Sequence, residues 1–139
     1  DLPLGGRLAH SARDVPLWLC HGDRADAMTR DAWAGLGARL IECPARGGSL
    51  DPAAMMRALA AAGLTRVFCE GGGAMAAALL SAGMVDELVG FTAGIALGAE
   101  GQPSVGALGL DRLAGAPRFD LVECRPLGPD VLHRWRRRT

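Results

Sequence analysis

The chain has 139 residues, half of them apolar, and its 15 acidic residues balance 15 basic ones, all of them arginine. That length buries one core, so a single domain over residues 1–139 is expected, and the even charge argues against nucleic-acid or membrane-surface partners. Lysine, tyrosine and asparagine are absent, which excludes Schiff-base lysine and tyrosine acid chemistry.

In chain order, residues 1–14 show no period and read as an extended leading loop. Pro16-Leu17-Trp18-Leu19-Cys20 is a short apolar run with the length of a strand buried on both faces. His21 and Arg24 lie in the turn after it, where a cation could meet a phosphate; a solvated polar turn explains them as well. A short helix is expected over residues 28–36, entered through Thr29 and stopped near Gly35 and Gly37, and Arg39–Cys43 reads as a second strand. After a loop at Arg46–Gly48 comes the clearest helix signal. Asp51 is its N-cap, Pro52 its first position, Met55, Met56, Leu59 and Ala62 its core stripe, and Gly63 its stop.

The most informative stretch follows. Val67–Cys69 reads as a buried strand that ends on Glu70 and passes through Gly71, Gly72 and Gly73 into an alanine-rich helix from about Ala74 to Ala82, closed by Gly83. The first amides of such a helix have no intrahelical acceptor, the macrodipole is positive there, and glycines let a phosphate approach the backbone. Three glycines equally suit a tight turn that lets the helix pack closely. Neither the G-x-G-x-x-G nor the P-loop pattern occurs. Three alternations of strand and helix point to α/β architecture with a mostly parallel sheet flanked by helices.

Beyond Met84-Val85 the pattern changes. A strand is expected over Leu88–Ala93, then a glycine-rich excursion over residues 94–118 anchored by Leu108, Leu110 and Leu113, of a length that is usually functional or a covering flap. Phe119–Cys124 alternates with period two, Gly128-Pro129-Asp130 turns, and Val131–Trp135 runs back, giving a C-terminal antiparallel hairpin. Arg136, Arg137 and Arg138 read as a solvated basic tail. Cys20, Cys43, Cys69 and Cys124 have no C-x-x-C spacing and each falls in or at the end of an expected strand. They read as buried thiols of a reducing compartment, with no metal site. No apolar run reaches the ~18 residues of a membrane span, and no secretory leader is recognisable, so a cytoplasmic location is expected.

The run from Glu70 to Leu88, Glu-Gly-Gly-Gly-Ala-Met-Ala-Ala-Ala-Leu-Leu-Ser-Ala-Gly-Met-Val-Asp-Glu-Leu, resembles the reductase domain of the bacterial riboflavin biosynthesis protein RibD. Leu97-Gly98, Gly101-x-Pro103, Gly109-Leu110, Leu113-Ala114, Ala116-Pro117 and Leu127-Gly128-x-Asp130-Val131-Leu132 continue the match, as does the Leu50-Asp51 helix start. The resemblance implies a dihydrofolate-reductase-like fold and NADPH-dependent reduction of the ribosyl group of 5-amino-6-(5-phosphoribosylamino)uracil to ribityl. It implies that Gly71, Gly72, Gly73, Ala74 and Met75 receive the cofactor pyrophosphate, that Glu70 faces the phosphorylated pyrimidine substrate, and that His21 or Arg24 lies near the cofactor 2′-phosphate. Where the family often has Thr or Ser two residues past the paired glycines this chain has Ala74, and where many members have Ala-Pro-Lys it has Ala93-Gly94-Ile95. The family's first strands and its Ala-Asp-Asp-Pro segment, with the proposed catalytic aspartate, are expected upstream of Asp1. That makes the chain an N-terminally truncated domain, expected to be inactive alone and to dimerise with its own kind through an unpaired strand edge. A related reductase acting on a pterin, and a non-catalytic assembly module, are the competing readings.

Overall fold

The computed structural model describes residues 2–138; Asp1, the first residue of the expected leading loop, lies outside them. Two compact units divide between Val67 and Phe68.

The first unit opens with a five-residue helix, α1 (Arg7–Ser11), where an extended loop was expected. Its Ala9 is buried with Trp33 and Ala38, and Leu17, Leu19, Leu36 and Leu40 pack around them, so this segment is pinned by a tertiary contact that local sequence does not reveal. Strand β1 (Trp18–His21) pairs in parallel with β2 (Arg39–Glu42), Cys20 opposite Ile41. Its residues are half-buried rather than enclosed on both faces, and the Arg39 guanidinium lies 4.4 Å over the Trp18 ring. Between them α2 (Ala27–Gly35) presents Trp33 to the core. Its N-cap is Asp26, not Thr29: the Asp26 carboxylate accepts from the Thr29 amide at 2.8 Å and from its hydroxyl at 2.9 Å.

The expected loop at residues 46–48 is the turn of a small hairpin, β3 (Ala45–Arg46) with β4 (Ser49–Leu50). Gly47 and Gly48 both take positive φ, 59° and 85°, as a two-residue hairpin turn of the I′ kind requires. Helix α3 (Pro52–Ala61) starts as the sequence predicts, with Asp51 accepting from the Ala54 amide at 2.9 Å and Pro52 in the first turn; Gly63, at φ 104°, ends it. Met55, Met56, Leu59 and Ala62 are half-buried.

The second unit contains α4 (Gly73–Ser81), β5 (Glu87–Thr92), β6 (Phe119–Leu127) and β7 (Asp130–Arg137). The strand expected at Val67–Cys69 does not form: none of its residues joins a ladder, and Phe68 is 77% exposed. A run of apolar residues becomes a strand only when a partner takes its amides and carbonyls, and none of the described strands does so here. The mostly parallel sheet is corrected for the same reason. Among the described residues only β1 and β2 pair in parallel, whereas β5, β7 and β6 form an antiparallel sheet in that order.

The terminal hairpin is longer than its alternation suggested, with a bulge between Leu121 and Glu123. It absorbs the supposed basic tail. Arg136 donates to Glu87 at 3.1 Å, Arg137 reaches the Gly83 carbonyl, and Arg138 pairs with Asp120. On the same face Arg134 bridges Glu87 of β5, 3.5 Å away, and Glu123 of β6, 3.4 Å away. These partners hold the carboxyls of Glu87, Glu123 and Asp120 below their usual range, the hydrogen bonds from Arg136, Arg125 and Arg138 respectively being the largest cause.

Candidate functional site

The glycine turn builds the site from the backbone. Gly72 is the N-cap of α4, with φ −65° and ψ 174°, and offers no side-chain cap. Its carbonyl accepts from the Met75 amide at 2.9 Å and the Ala76 amide at 3.1 Å, while the amides of Gly73 and Ala74 find no acceptor among the described residues. Two donors and the positive end of a nine-residue helix therefore converge on one point.

The three glycines are not equivalent. A Cβ on Gly72 would meet nothing within 4 Å, so this position is open to an approaching ligand. A Cβ on Gly71 would lie 2.9 Å from the Met75 side chain, and one on Gly73 would lie 2.7 Å from the Pro103 carbonyl oxygen. Close packing thus accounts for glycine at positions 71 and 73, while position 72 stands open. Glu70, Gly71, Gly72, Ala74 and Met75 are exposed, and Gly73 is half-buried.

The small residues Gly73, Ala74, Ala77, Ala78 and Ser81 of α4 line a groove of about 510 Å³ whose far wall is formed by Gln102, Pro103, Gly106 and Ala107. The expected leucine anchors of the excursion are corrected: Leu113 and Leu110 are exposed, and only Leu108 is half-buried. What holds the excursion is backbone, the Gly106 amide donating to the Gly73 carbonyl at 2.8 Å. No periodicity or motif marks Pro103 or Gly106, so sequence reasoning missed them.

His21 and Arg24 lie in the first unit. His21 Nδ1 donates to the Gly22 carbonyl at 3.0 Å, which leaves Nε2 as its free ring nitrogen; Arg24 is exposed and makes no ion pair among the described residues. Of the four cysteines, Cys43 is buried and Cys20 half-buried, whereas Cys69 and Cys124 are exposed, against expectation. Cys69 follows from the strand that does not form, and Cys124 lies on β6, an edge strand of its sheet paired with β7. Burial, reinforced by the adjacent Cys43, pushes the Cys20 thiol up to about 11. No cluster of three His, Cys, Asp or Glu side chains suited to a metal ion occurs among the described residues.

A second polar constellation, unforeseen from sequence, lies on the sheet. Trp135 Nε1 donates to His133 Nδ1 at 2.9 Å, and His133 Nε2 lies 3.0 Å from the Thr92 hydroxyl. An indole can only donate, so Nδ1 carries no proton and Nε2–H is the donor to Thr92. The ring lies over Gly90, where a Cβ would come within 2.1 Å of it.

The chain shares its α/β fold with solved RibD and pyrimidine reductase-like proteins. Acinetobacter baumannii RibD matches 99% of the chain and 35% of its own length with a TM-score of 0.70 at 21% identity. A pyrimidine reductase-like protein of Corynebacterium diphtheriae matches the whole chain and 58% of its own with a TM-score of 0.78 at 17% identity. In sequence, the riboflavin biosynthesis protein RibD of Escherichia coli is 38% identical over 93 residues, which are 67% of this chain and 25% of that protein. The RibD C-terminal domain family matches residues 11–133. The chain belongs to the RibD C-terminal domain family, and it spans about a quarter of that Escherichia coli relative.

Proposed function

We propose that the chain is the cofactor-binding part of a cytoplasmic, homodimeric reductase of riboflavin biosynthesis, which reduces 5-amino-6-(5-phosphoribosylamino)uracil to its ribitylamino form with NADPH. The observation that carries this reading is the unpartnered pair of amides at Gly73 and Ala74 beside the open position at Gly72, in a chain of this family. That open position is where a pyrophosphate can approach without meeting a side chain, so the residues present fit the cofactor. When bound, NADPH supplies the hydride that adds to C1 of the open-chain imine, a proton adding to its nitrogen.

The chain's own part is binding and orientation. The Gly73 and Ala74 amides hold pyrophosphate oxygens, and the Met75 side chain, against Gly71, keeps that turn in place. Glu70, an exposed carboxylate at the start of the turn, accepts from a sugar hydroxyl of the phosphorylated pyrimidine or orders a water. His21 Nε2 and Arg24 are the candidates for the 2′-phosphate.

Titration with NADPH and NADH tests the reading. Preferential NADPH binding, weakened by R24A more than NADH binding is, supports it. Equal affinity for both removes the 2′-phosphate assignment, and no binding by this chain or by a form extended upstream overturns the reading as a whole.

A further inference from the structure

Gly73 and Gly106 meet backbone to backbone. Besides the hydrogen bond between them, a Cβ on Gly73 would lie 2.7 Å from the Pro103 oxygen, 3.2 Å from the Gly106 nitrogen and 3.4 Å from the Ser104 oxygen. A Cβ on Gly106 would lie 3.2 Å from the Gly73 oxygen and 3.6 Å from the Ala74 Cα. Neither glycine has positive φ, so space and not backbone conformation dictates the residue at both positions. The contact fixes one wall of the groove against the other, and it does so at the first turn of α4, beside the unpartnered amides.

We propose that Gly73 and Gly106 are a clasp that holds Gln102–Ala107 as a strap across the first turn of α4, and that both are positioning residues for the ligand of this turn. The positioning half rests on the cofactor reading above. Without the clasp the excursion between β5 and β6 has little to order it, since its 3-10 turns at Gly98–Glu100 and Leu113–Gly115 are short, and Leu97 before the first and Leu113 in the second are exposed. An ordered strap keeps the groove in shape before the ligand arrives, which removes an ordering cost from binding.

Hydrogen exchange followed by mass spectrometry, with NADPH titration on the same samples, tests this in G73A, G106A and G72A. Alanine is a better helix former than glycine, so G73A leaves exchange within α4 unchanged or slower while amides of residues 104–107 exchange at least about tenfold faster. A destabilised fold would accelerate both regions together. G106A, whose Cβ meets a single oxygen at 3.2 Å, gives the same pattern more weakly and serves if G73A does not fold. In G72A, where the added methyl meets nothing, the strap exchanges as in the wild type. NADPH dissociation constants rise on the order of tenfold in G73A and G106A. Unchanged strap exchange in both variants overturns the clasp, and faster exchange with unchanged NADPH affinity overturns the positioning role. If the wild type binds no NADPH, the cofactor reading fails by itself and strap exchange still decides the clasp.

Discussion

Single residues carry several of the local decisions in this chain. Asp51 was legible because a short carboxylate followed by proline is chemically suited to one place, the start of a helix, and the structure puts it there. Thr29 was misjudged because Asp26, three residues earlier, offers a stronger acceptor to the same amide. Both carboxyls are held below their usual range, chiefly by the backbone amides of Ala54 and Thr29. A depressed carboxyl stabilises the fold above its unfolded value and ceases to as pH falls through its folded one. D51A is therefore expected to lower the melting temperature at pH 7 and to do so less as pH falls below 3.8, whereas D51S retains most of the wild-type value; thermal melts across that range are the check.

The thiols make a second prediction at this scale. Cys69 and Cys124 are exposed, whereas Cys20 of β1 is half-buried beside the buried Cys43, which follows β2, and its thiol is pushed up. Native alkylation read by mass spectrometry is expected to modify Cys69 and Cys124 first and to leave Cys20 and Cys43 until the chain unfolds.

Among elements, the antiparallel sheet shows what alternation could and could not reveal. Period two in Phe119–Cys124 identified β6, but the partner order β5, β7, β6 and the arginine–carboxylate row across it depend on register, which no local pattern fixes. Glu87, Glu123 and Asp120 all have lowered carboxyl values, so their contribution is present above the unfolded values of 4.5 and 3.8 and fades as pH falls through the lowered ones. E87Q is expected to flatten the acid limb of a stability–pH profile and to raise exchange along both neighbours of β7; an unchanged profile would show that the row is fully screened. The other face of the same sheet has its own test. G90A places a methyl where the His133 ring lies, so the Trp135–His133–Thr92 chain breaks. Nitrogen chemical shifts of His133 are expected to report the Nε2–H tautomer in the wild type and its loss in G90A.

At the scale of the whole molecule, the α/β class and most element positions could be read from hydrophobic period, caps and glycine stops. The parallel sheet could not, because the run at Val67–Cys69 carries the composition of a buried strand and lacks a partner to make it one. The glycine turn was legible as a helix start, yet the division of labour among its three glycines was not, since Gly71 is set by the Met75 side chain and Gly73 by Pro103 and Gly106 some thirty residues on. The first unit rests on a small core about Trp33, which is 3% exposed. W33A is expected to cost about 3–5 kcal/mol by equilibrium urea unfolding, large enough to unfold that unit near room temperature.

The order of strands in the second unit also bears on how the chain comes off the ribosome. Thr92 and Leu127 belong to strands that never touch each other; each waits for a neighbour that is translated after both. Until Val131 and the residues after it emerge, two amphipathic strands stand with bare edges, a state open to chaperones or to misplaced pairing. Synonymous codons that slow translation between Leu127 and Arg137 would lengthen that interval, and aggregation of newly made chains, rather than stability of finished ones, is where the delay would be felt.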